Sequence, residues 1–167
     1  MNMNLQEFKM DLPKEYLALA GEYAVASELC RRGIYAQLTL ANRKRTDLLV
    51  QIRTGRMLNI QVKTKQKKYW VLVKGITGED IVIVFVDYQN KQYNEMPDYY
   101  ILNSNDWAKY VKYGWLKERV LKGFYRIDEY NCPVHIGKDK NENWKGVDIE
   151  PDELIKYKDK WDKITSL

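Results

Sequence analysis

Residues 46–63 of the chain read TDLLVQIRTGRMLNIQVK. Apolar residues take every second position in both halves, and alternate residues of a β-strand face opposite sides of the sheet. The four residues RTGR at 53–56 separate the halves and are typical of a tight turn. The segment therefore predicts a β-hairpin whose buried face is formed by Leu48, Val50, Ile52, Leu58, Ile60 and Val62.

The polar face of this hairpin carries the residues of chemical interest. Antiparallel pairing brings Asp47 opposite the end of the partner strand that holds Gln61 and Lys63. A carboxylate, an amide oxygen and an ammonium group then meet on one surface, which suits a divalent metal ion and an activated water for phosphodiester hydrolysis. The alternative is a hairpin with one core face and one solvated polar face.

A helix is predicted over residues 13–33, from Pro13 to the terminating Gly33. Its residues Ala18, Glu22, Val25 and Leu29 lie on one stripe at helical spacing. Glu22 is thus expected to face the sheet, where a charged carboxylate is costly unless it meets a cation or a metal. The alternative places Glu22 at the edge of the stripe, paired with a lysine or an arginine.

Three segments in this order, GEYAVASELCRRG, TDLLV and LNIQVKTK, span about residues 21–65. They resemble the PD-(D/E)XK nuclease superfamily, and most closely the branch that contains archaeal Holliday junction resolvases and group I intron homing endonucleases. The resemblance implies an α/β fold with a restriction-endonuclease-like core, in which a mixed β-sheet is flanked by helices. A crossover helix usually follows the Gln-x-Lys strand in that superfamily, but residues 64–80 leave little room for one.

The resemblance also implies a role for each site residue. Asp47 would be the main ligand of Mg²⁺, for which Mn²⁺ would substitute, and Gln61, the backbone carbonyl of Val62 and Glu22 would complete the protein ligands. Lys63 would orient or help deprotonate the attacking water, or stabilise charge developing on the phosphate. Gln61 stands where Glu is commoner, which removes a negative charge and is also what a non-catalytic relative would show.

Charge around this segment favours a nucleic-acid partner. The chain has 28 lysine and arginine residues against 23 acids, a net charge of +5. Residues 43–74 hold ten of these cations and only one acid, Asp47, and such a basic patch attracts a phosphate backbone. DNA contacts are predicted for Arg43, Lys44, Arg45, Lys65, Lys67 and Lys68. Tyr69 and Trp70 either stack on bases or, as the favoured alternative, anchor the next strand.

Length and composition bound the organisation of the molecule. We expect one domain over residues 1–167, with 128–167 as a C-terminal extension packed on the core, tied down by Trp144 and Trp161. No signal peptide or membrane-spanning run is evident, and Cys30 is expected to be a buried reduced thiol, so a cytoplasmic location is predicted. IVIVFVDY at 81–88 predicts a buried central strand, DYYIL at 98–102 another strand, and 105–121 a helix.

The favoured function is a Mg²⁺-dependent DNA endonuclease acting in defence, repair or a mobile element, as a homodimer if it cuts both strands. One alternative is a catalytically inactive nucleic-acid-binding module of the same fold. The other is a structural protein whose basic surface binds an acidic partner.

Overall fold

The computed structural model describes residues 11–39, 46–114, 116–137 and 143–165, and within them the chain forms a mixed α/β fold. A short 3-10 helix covers Pro151–Tyr157. The other elements, in chain order, are α1 (Lys14–Arg31), β1 (Tyr35–Leu38), β2 (Leu48–Gln51), β3 (Met57–Lys65), β4 (Trp70–Val73), β5 (Ile81–Asp87), β6 (Asp98–Asn103), α2 (Ser104–Tyr113), α3 (Leu116–Leu121), β7 (Tyr125–Ile127), β8 (Pro133–Ile136), β9 (Asn143–Lys145), β10 (Val147–Ile149) and α4 (Asp162–Thr165).

A five-stranded mixed sheet forms the centre of the fold, in the order β1-β2-β3-β5-β6. Strands β1, β2 and β3 form an antiparallel meander, β5 runs parallel to β3, and β6 is antiparallel to β5. The predicted hairpin is confirmed, because β2 and β3 pair with Leu48 opposite Ile60 and Gln51 opposite Met57. Gly55 closes the turn with a φ of 84°, a left-handed conformation that glycine adopts without steric cost.

Helix α1 packs on one face of this sheet. Val25 and Leu29 of the helix join the predicted apolar residues of the hairpin in one core, together with Val82, Val84 and Ile101. The predicted stripe is correct for these two residues and wrong for Ala18, which is exposed. Gly21 lies so close to β3 that a Cβ at this position would be 1.8 Å from Thr64 Oγ1. The absence of a side chain at Gly21 therefore sets how closely the helix approaches the sheet.

A second core covers the opposite face. It is built around Trp70, Phe85 and Trp107, and Leu154 and Tyr157 of the 3-10 helix complete it. The chain crosses from β3 to the parallel β5 through β4, which pairs with β10, so no helix occupies this crossover. The expected lack of a crossover helix is thus confirmed.

The helix predicted over 105–121 is two helices instead of one. Asn103 begins α2 as a capping box, its side chain accepting a hydrogen bond from the backbone N–H of Asp106 at 2.9 Å. Gly114 leaves the helix in an extended conformation with ψ −150°, and α3 then begins at Leu116. The break falls at glycine because this residue gains least from remaining helical.

The structure tests the predicted positions of Trp161, Trp144 and Cys30. Trp161 is buried against Tyr99, with ring centroids 5.1 Å apart, as predicted for an anchor of the C-terminal segment. Trp144 does not anchor that segment, because 60% of it is exposed. Cys30 is exposed, not buried, and the buried thiol is that of Cys132.

In the described ranges, no helix is both long enough and apolar enough to cross a membrane.

Candidate functional site

Asp47 lies one residue before β2 and is held by backbone contacts to β3. Its N–H donates to the carbonyl of Ile60 at 2.9 Å, and its Oδ2 accepts a hydrogen bond from the N–H of Val62 at 2.6 Å. The paired register of the two strands ends at Leu48 opposite Ile60, one residue after Asp47. The carboxylate is therefore fixed beside the Gln-x-Lys segment, as the hairpin predicted.

Gln61 and Lys63 occupy the face of β3 opposite to α1. Each is half-buried, whereas the alternating Ile60 and Val62 point into the core under the helix. In the parallel pairing with β5, Gln61 is opposite Ile83 and Lys63 is opposite Phe85. The alternation predicted from the sequence is confirmed, and it presents the amide and the ammonium on the same side of the sheet.

Glu22 reaches the same group of charges from α1. Burial raises the pKa of the Glu22 carboxyl above its ordinary value, the negative charge of Asp47 raises it further, and Lys63 opposes the shift. A carboxylate that feels both charges lies close to them, because such interactions fall off with distance. Glu22 is thus electrostatically coupled to Asp47 and Lys63, the two other charged residues that the sequence selected.

The ammonium of Lys63 experiences opposing influences. Burial is the largest and lowers its pKa, Asp47 and Glu22 raise it, and the neighbouring cations Lys14 and Lys74 lower it again. The net shift is downward, so the neutral amine is more accessible near neutral pH than in an ordinary lysine.

Lys14 and Lys74 are cations of this site that the sequence analysis did not assign to it. Both are exposed, one in the first turn of α1 and the other just after β4. Lys14 precedes Glu22 by eight residues, about two helical turns, so the helical spacing could have predicted that the two residues lie on the same side of α1. Lys74 held no such signal, because only the packing of β4 on the sheet brings it near Lys63.

The donor set can be tested against a metal ion. Glu22, Asp47 and Gln61 supply oxygen atoms, the donors that Mg²⁺ prefers. The Val62 N–H donates to Asp47 Oδ2 and not to Oδ1. Burial and, after it, the negative charge of Asp47 raise the pKa of Glu22, and a bound cation would oppose both effects, so these residues fit a divalent metal. Within the described part of the chain, no three His, Cys, Asp or Glu side chains form a group that could hold a metal, and this set has only two.

The residues predicted to contact DNA fall into three environments. Arg43, Lys44 and Arg45 lie outside the described residues. Lys67 and Lys68 are exposed, with ion pairs to Asp11 at 2.7 Å and Glu150 at 3.2 Å respectively.

Lys65 has a different environment from the one predicted. It is only 3% exposed, and its Nζ donates to Asp87 Oδ1 at 2.7 Å and to Gln89 Oε1 at 2.9 Å. This ammonium also lies 4.8 Å from the ring centroid of Trp70. The side chain is an internal partner of Asp87, so its ammonium is not exposed for a contact with DNA.

Trp70 has the role favoured from the sequence. It is 2% exposed, packs edge-on against Phe85 with centroids 5.1 Å apart, and donates its Nε1–H to the carbonyl of Val86 at 3.2 Å. It therefore anchors β4 on the sheet, and only the neighbouring Tyr69, 39% exposed, presents its ring to solvent.

Comparisons of the chain with protein-family models, with curated proteins and with solved structures found no match.

Proposed function

We propose that this protein is a Mg²⁺-dependent deoxyribonuclease with a restriction-endonuclease-like core. The observation that carries the proposal is the electrostatic coupling of Glu22 on α1 to Asp47 and Lys63 of the hairpin. Asp47 is held there by the Val62 N–H, between Gln61 and Lys63. In this proposal the substrate is DNA and the reaction is hydrolysis of a phosphodiester bond by water.

The topology supports this assignment. A helix bearing an acid, an antiparallel three-strand meander bearing Asp47 and Gln61-x-Lys63, and a fourth strand parallel to β3 follow one another in the order that the resemblance implies. The difference is the crossover, which uses β4 in place of a helix.

Glu22, Asp47 and Gln61 would hold the metal ion, with the Val62 carbonyl as a further oxygen donor. The bound metal would supply a water of lowered pKa and positive charge beside the phosphate. Asp47 is suited to a fixed position because its Oδ2 is bound to the N–H of Val62 at 2.6 Å, which orients the other oxygen.

Lys63 is suited to act on the attacking water. Its pKa is lowered by burial and by Lys14 and Lys74, so its neutral form can accept a proton at a pH where an ordinary lysine cannot. Since the neutral form increases as pH rises through this lowered pKa, cleavage should increase with pH over the same interval.

The cations around the acids support a polyanionic substrate. Lys14 and Lys74 act electrostatically on Lys63, and each exposed lysine that contacts a phosphate adds about one counterion to the salt dependence of binding. Replacing Lys74 with Met should therefore weaken DNA binding and reduce the slope of log K against log salt by about 0.9.

The test is a cleavage assay at low salt with Mg²⁺ or Mn²⁺ on linear, plasmid, single-stranded and branched DNA. Asp47→Asn is the appropriate variant because an amide oxygen can still accept the hydrogen bond from Val62, whereas Ala would remove it. Cleavage should fall by at least about 100-fold in Asp47→Asn and in Lys63→Met, with unchanged thermal stability. Asp80→Asn, an exposed acid paired with Arg56, is the matched control and should retain full activity.

Two further variants separate the roles of the site. Lys63→Arg remains charged at all accessible pH, so it should lose activity if Lys63 accepts a proton and keep it if Lys63 acts only by charge. Gln61→Glu should strengthen Mn²⁺ binding, measured by calorimetry, and preserve or raise activity. Cleavage that survives both Asp47→Asn and Lys63→Met would refute the proposed site.

The second candidate is a catalytically inactive DNA-binding module of the same fold. It is favoured by the amide of Gln61 in a position where a carboxylate would strengthen the metal site. This candidate predicts salt-sensitive DNA binding that depends on Lys74 and is indifferent to Mg²⁺, without cleavage of any of the four DNA forms.

A further inference from the structure

A cleft of about 810 Å³ lies away from the Glu22 and Asp47 group, between β4, β10 and the sheet formed by β7, β8 and β9. Its aromatic lining consists of Tyr69, Tyr125, His135 and Trp144, and we call it the aromatic cleft. Trp144 is 60% exposed and belongs to neither core. The ring of Trp144 is therefore accessible to a ligand in the aromatic cleft.

The backbone beside the aromatic cleft is strained. Leu72, which lines the cleft, has a φ of 50° and is half exposed, a left-handed conformation that is rare for a bulky residue. Asp148 holds it by accepting the Leu72 N–H at 2.8 Å. Gly146 permits this arrangement, because a Cβ there would be 2.5 Å from the Leu72 carbonyl oxygen. Strain of this kind concentrates at functional sites.

The aromatic cleft carries an excess of negative charge in a chain whose net charge is positive. Asp148, Glu150 and Glu153 line it, and the only lysine or arginine among the described lining residues is Arg119. A phosphate or another anion would be repelled by this surface. Aromatic rings and carboxylates together favour a cation, since the ring faces carry partial negative charge.

Lys68, at the rim of the cleft, is a cation bound by an aromatic ring and a carboxylate. Its ammonium lies 4.9 Å from the ring centroid of Tyr69 and 3.2 Å from Glu150 Oε1. Hydrogen bonds to Tyr69 and Glu150 raise the pKa of Lys68 above its ordinary value, so this environment stabilises a protonated amine.

We propose that the aromatic cleft binds an organic ammonium group, supplied by a free polyamine or by a lysine side chain of a partner protein. The ring of Trp144 contacts the cation and Asp148 balances its charge, while Tyr69 and Glu150 keep their contacts with Lys68 at the rim. The volume of about 810 Å³ accommodates the alkyl chain that carries the charge. This site is independent of the proposed nuclease activity, and neither proposal requires the other.

The test compares a cation with its neutral isostere on the full chain. Choline and 3,3-dimethylbutan-1-ol have the same shape and differ in charge, so calorimetry or tryptophan fluorescence should detect choline binding at least tenfold tighter. Trp144→Leu should weaken choline binding about two- to fivefold, the effect of one exposed cation–π contact. The matched control is Tyr113→Leu, which removes an exposed aromatic residue from α2 outside the cleft and should change nothing.

The acidic residues have their own variant. Asp148→Asn retains an acceptor for the Leu72 N–H and removes only charge, so it should weaken choline binding without lowering thermal stability. Asp152→Asn, an exposed acid that does not line the cleft, should leave binding unchanged.

The source of the ammonium group is resolved by two further ligands. Tighter binding of spermidine than of a peptide with a single lysine supports a free polyamine, and the reverse order supports a partner protein. Equal affinity for choline and its neutral isostere overturns the proposal. So does binding of a mononucleotide, but not of choline, that is lost in Trp144→Leu.

Discussion

Replacing Gly21 with Ala should push helix α1 away from the sheet. A Cβ at this position would be 1.8 Å from Thr64 Oγ1, 2.9 Å from Thr64 Cβ and 3.0 Å from Thr64 Cγ2. Thr64 is on β3, in the middle of the sheet. Rotation about χ1 can move its Oγ1 and Cγ2, but its Cβ at 2.9 Å moves only with the strand. The helix must therefore shift, and Glu22, the next residue, should move with it.

The expected loss of stability follows from two opposing effects. Overpacking of a well-filled interior costs about 1–3 kcal/mol, and alanine in place of glycine stabilises a helix by about 0.5–1 kcal/mol. The balance is a loss of about 0–2.5 kcal/mol in the free energy of unfolding, and the 1.8 Å contact places it towards the upper end. For a chain of this length the full loss corresponds to a melting temperature lower by up to about 10 °C.

Thr64→Ala provides the compensating change. It removes Oγ1 and Cγ2, the first and third of the clashing atoms, and leaves a closest contact of 2.9 Å to Cβ. Thr64 Oγ1 is buried without a hydrogen-bond partner, so its removal should cost little by itself. The double variant should recover more than half of the stability lost in Gly21→Ala.

The assay is urea unfolding followed by circular dichroism for the two single variants and the double variant, which together form a double-mutant cycle. Gly21→Ala should also reduce cleavage if the nuclease proposal is correct, because Glu22 is displaced. A Gly21→Ala variant as stable as the wild type would refute the close-packing argument. Additive effects of the two substitutions would refute it equally.

Three other predictions concern the rest of the fold. Lys65→Met should lower the free energy of unfolding by about 3–5 kcal/mol, because it leaves the Asp87 carboxylate buried without its cation, whereas the exposed Lys67→Met should cost under about 1 kcal/mol; similar losses in urea unfolding would contradict the burial of the pair. Asn103→Ala should cost about 1 kcal/mol by removing the cap of α2, and an unchanged urea midpoint would argue against the capping box. Burial works to raise the pKa of Asp98, but two lysine ion pairs outweigh it and hold the pKa below its ordinary value. The stabilisation of the fold by the ionised Asp98 should thus be complete above about pH 4 and lost on further acidification. Asp98→Asn should therefore show a smaller fall in melting temperature between pH 6 and pH 3 than the wild type.

Much of the site was accessible from local sequence patterns. The alternation in residues 46–63 depends only on the two-residue period of a strand, and it correctly separated the buried Leu48 and Ile60 from the polar face of Gln61 and Lys63. The helical period likewise brought Glu22 onto the face of α1 that carries Val25 and Leu29. The pairing of β2 with β3 was predictable because a four-residue turn brings two consecutive strands side by side in antiparallel orientation.

The sequence could not predict features that depend on residues distant along the chain. Lys65 has the same strand parity as Lys63 and looked equally available, yet the packing of β4 over the end of β3 buries it beside Asp87. Lys74 joins the site for the same reason, since only that packing brings it near Lys63.

The sequence by itself determined the hairpin, the helix and the side of each element on which the site residues lie, because these follow from backbone periodicity and turn chemistry. Only the tertiary structure decided which cations act on Lys63 and which are buried. It alone also formed the aromatic cleft, whose Tyr69 and Trp144 are 75 residues apart in the chain. Burial and charge proximity depend on how β4 and β10 pair across that separation, and no local pattern specifies that pairing.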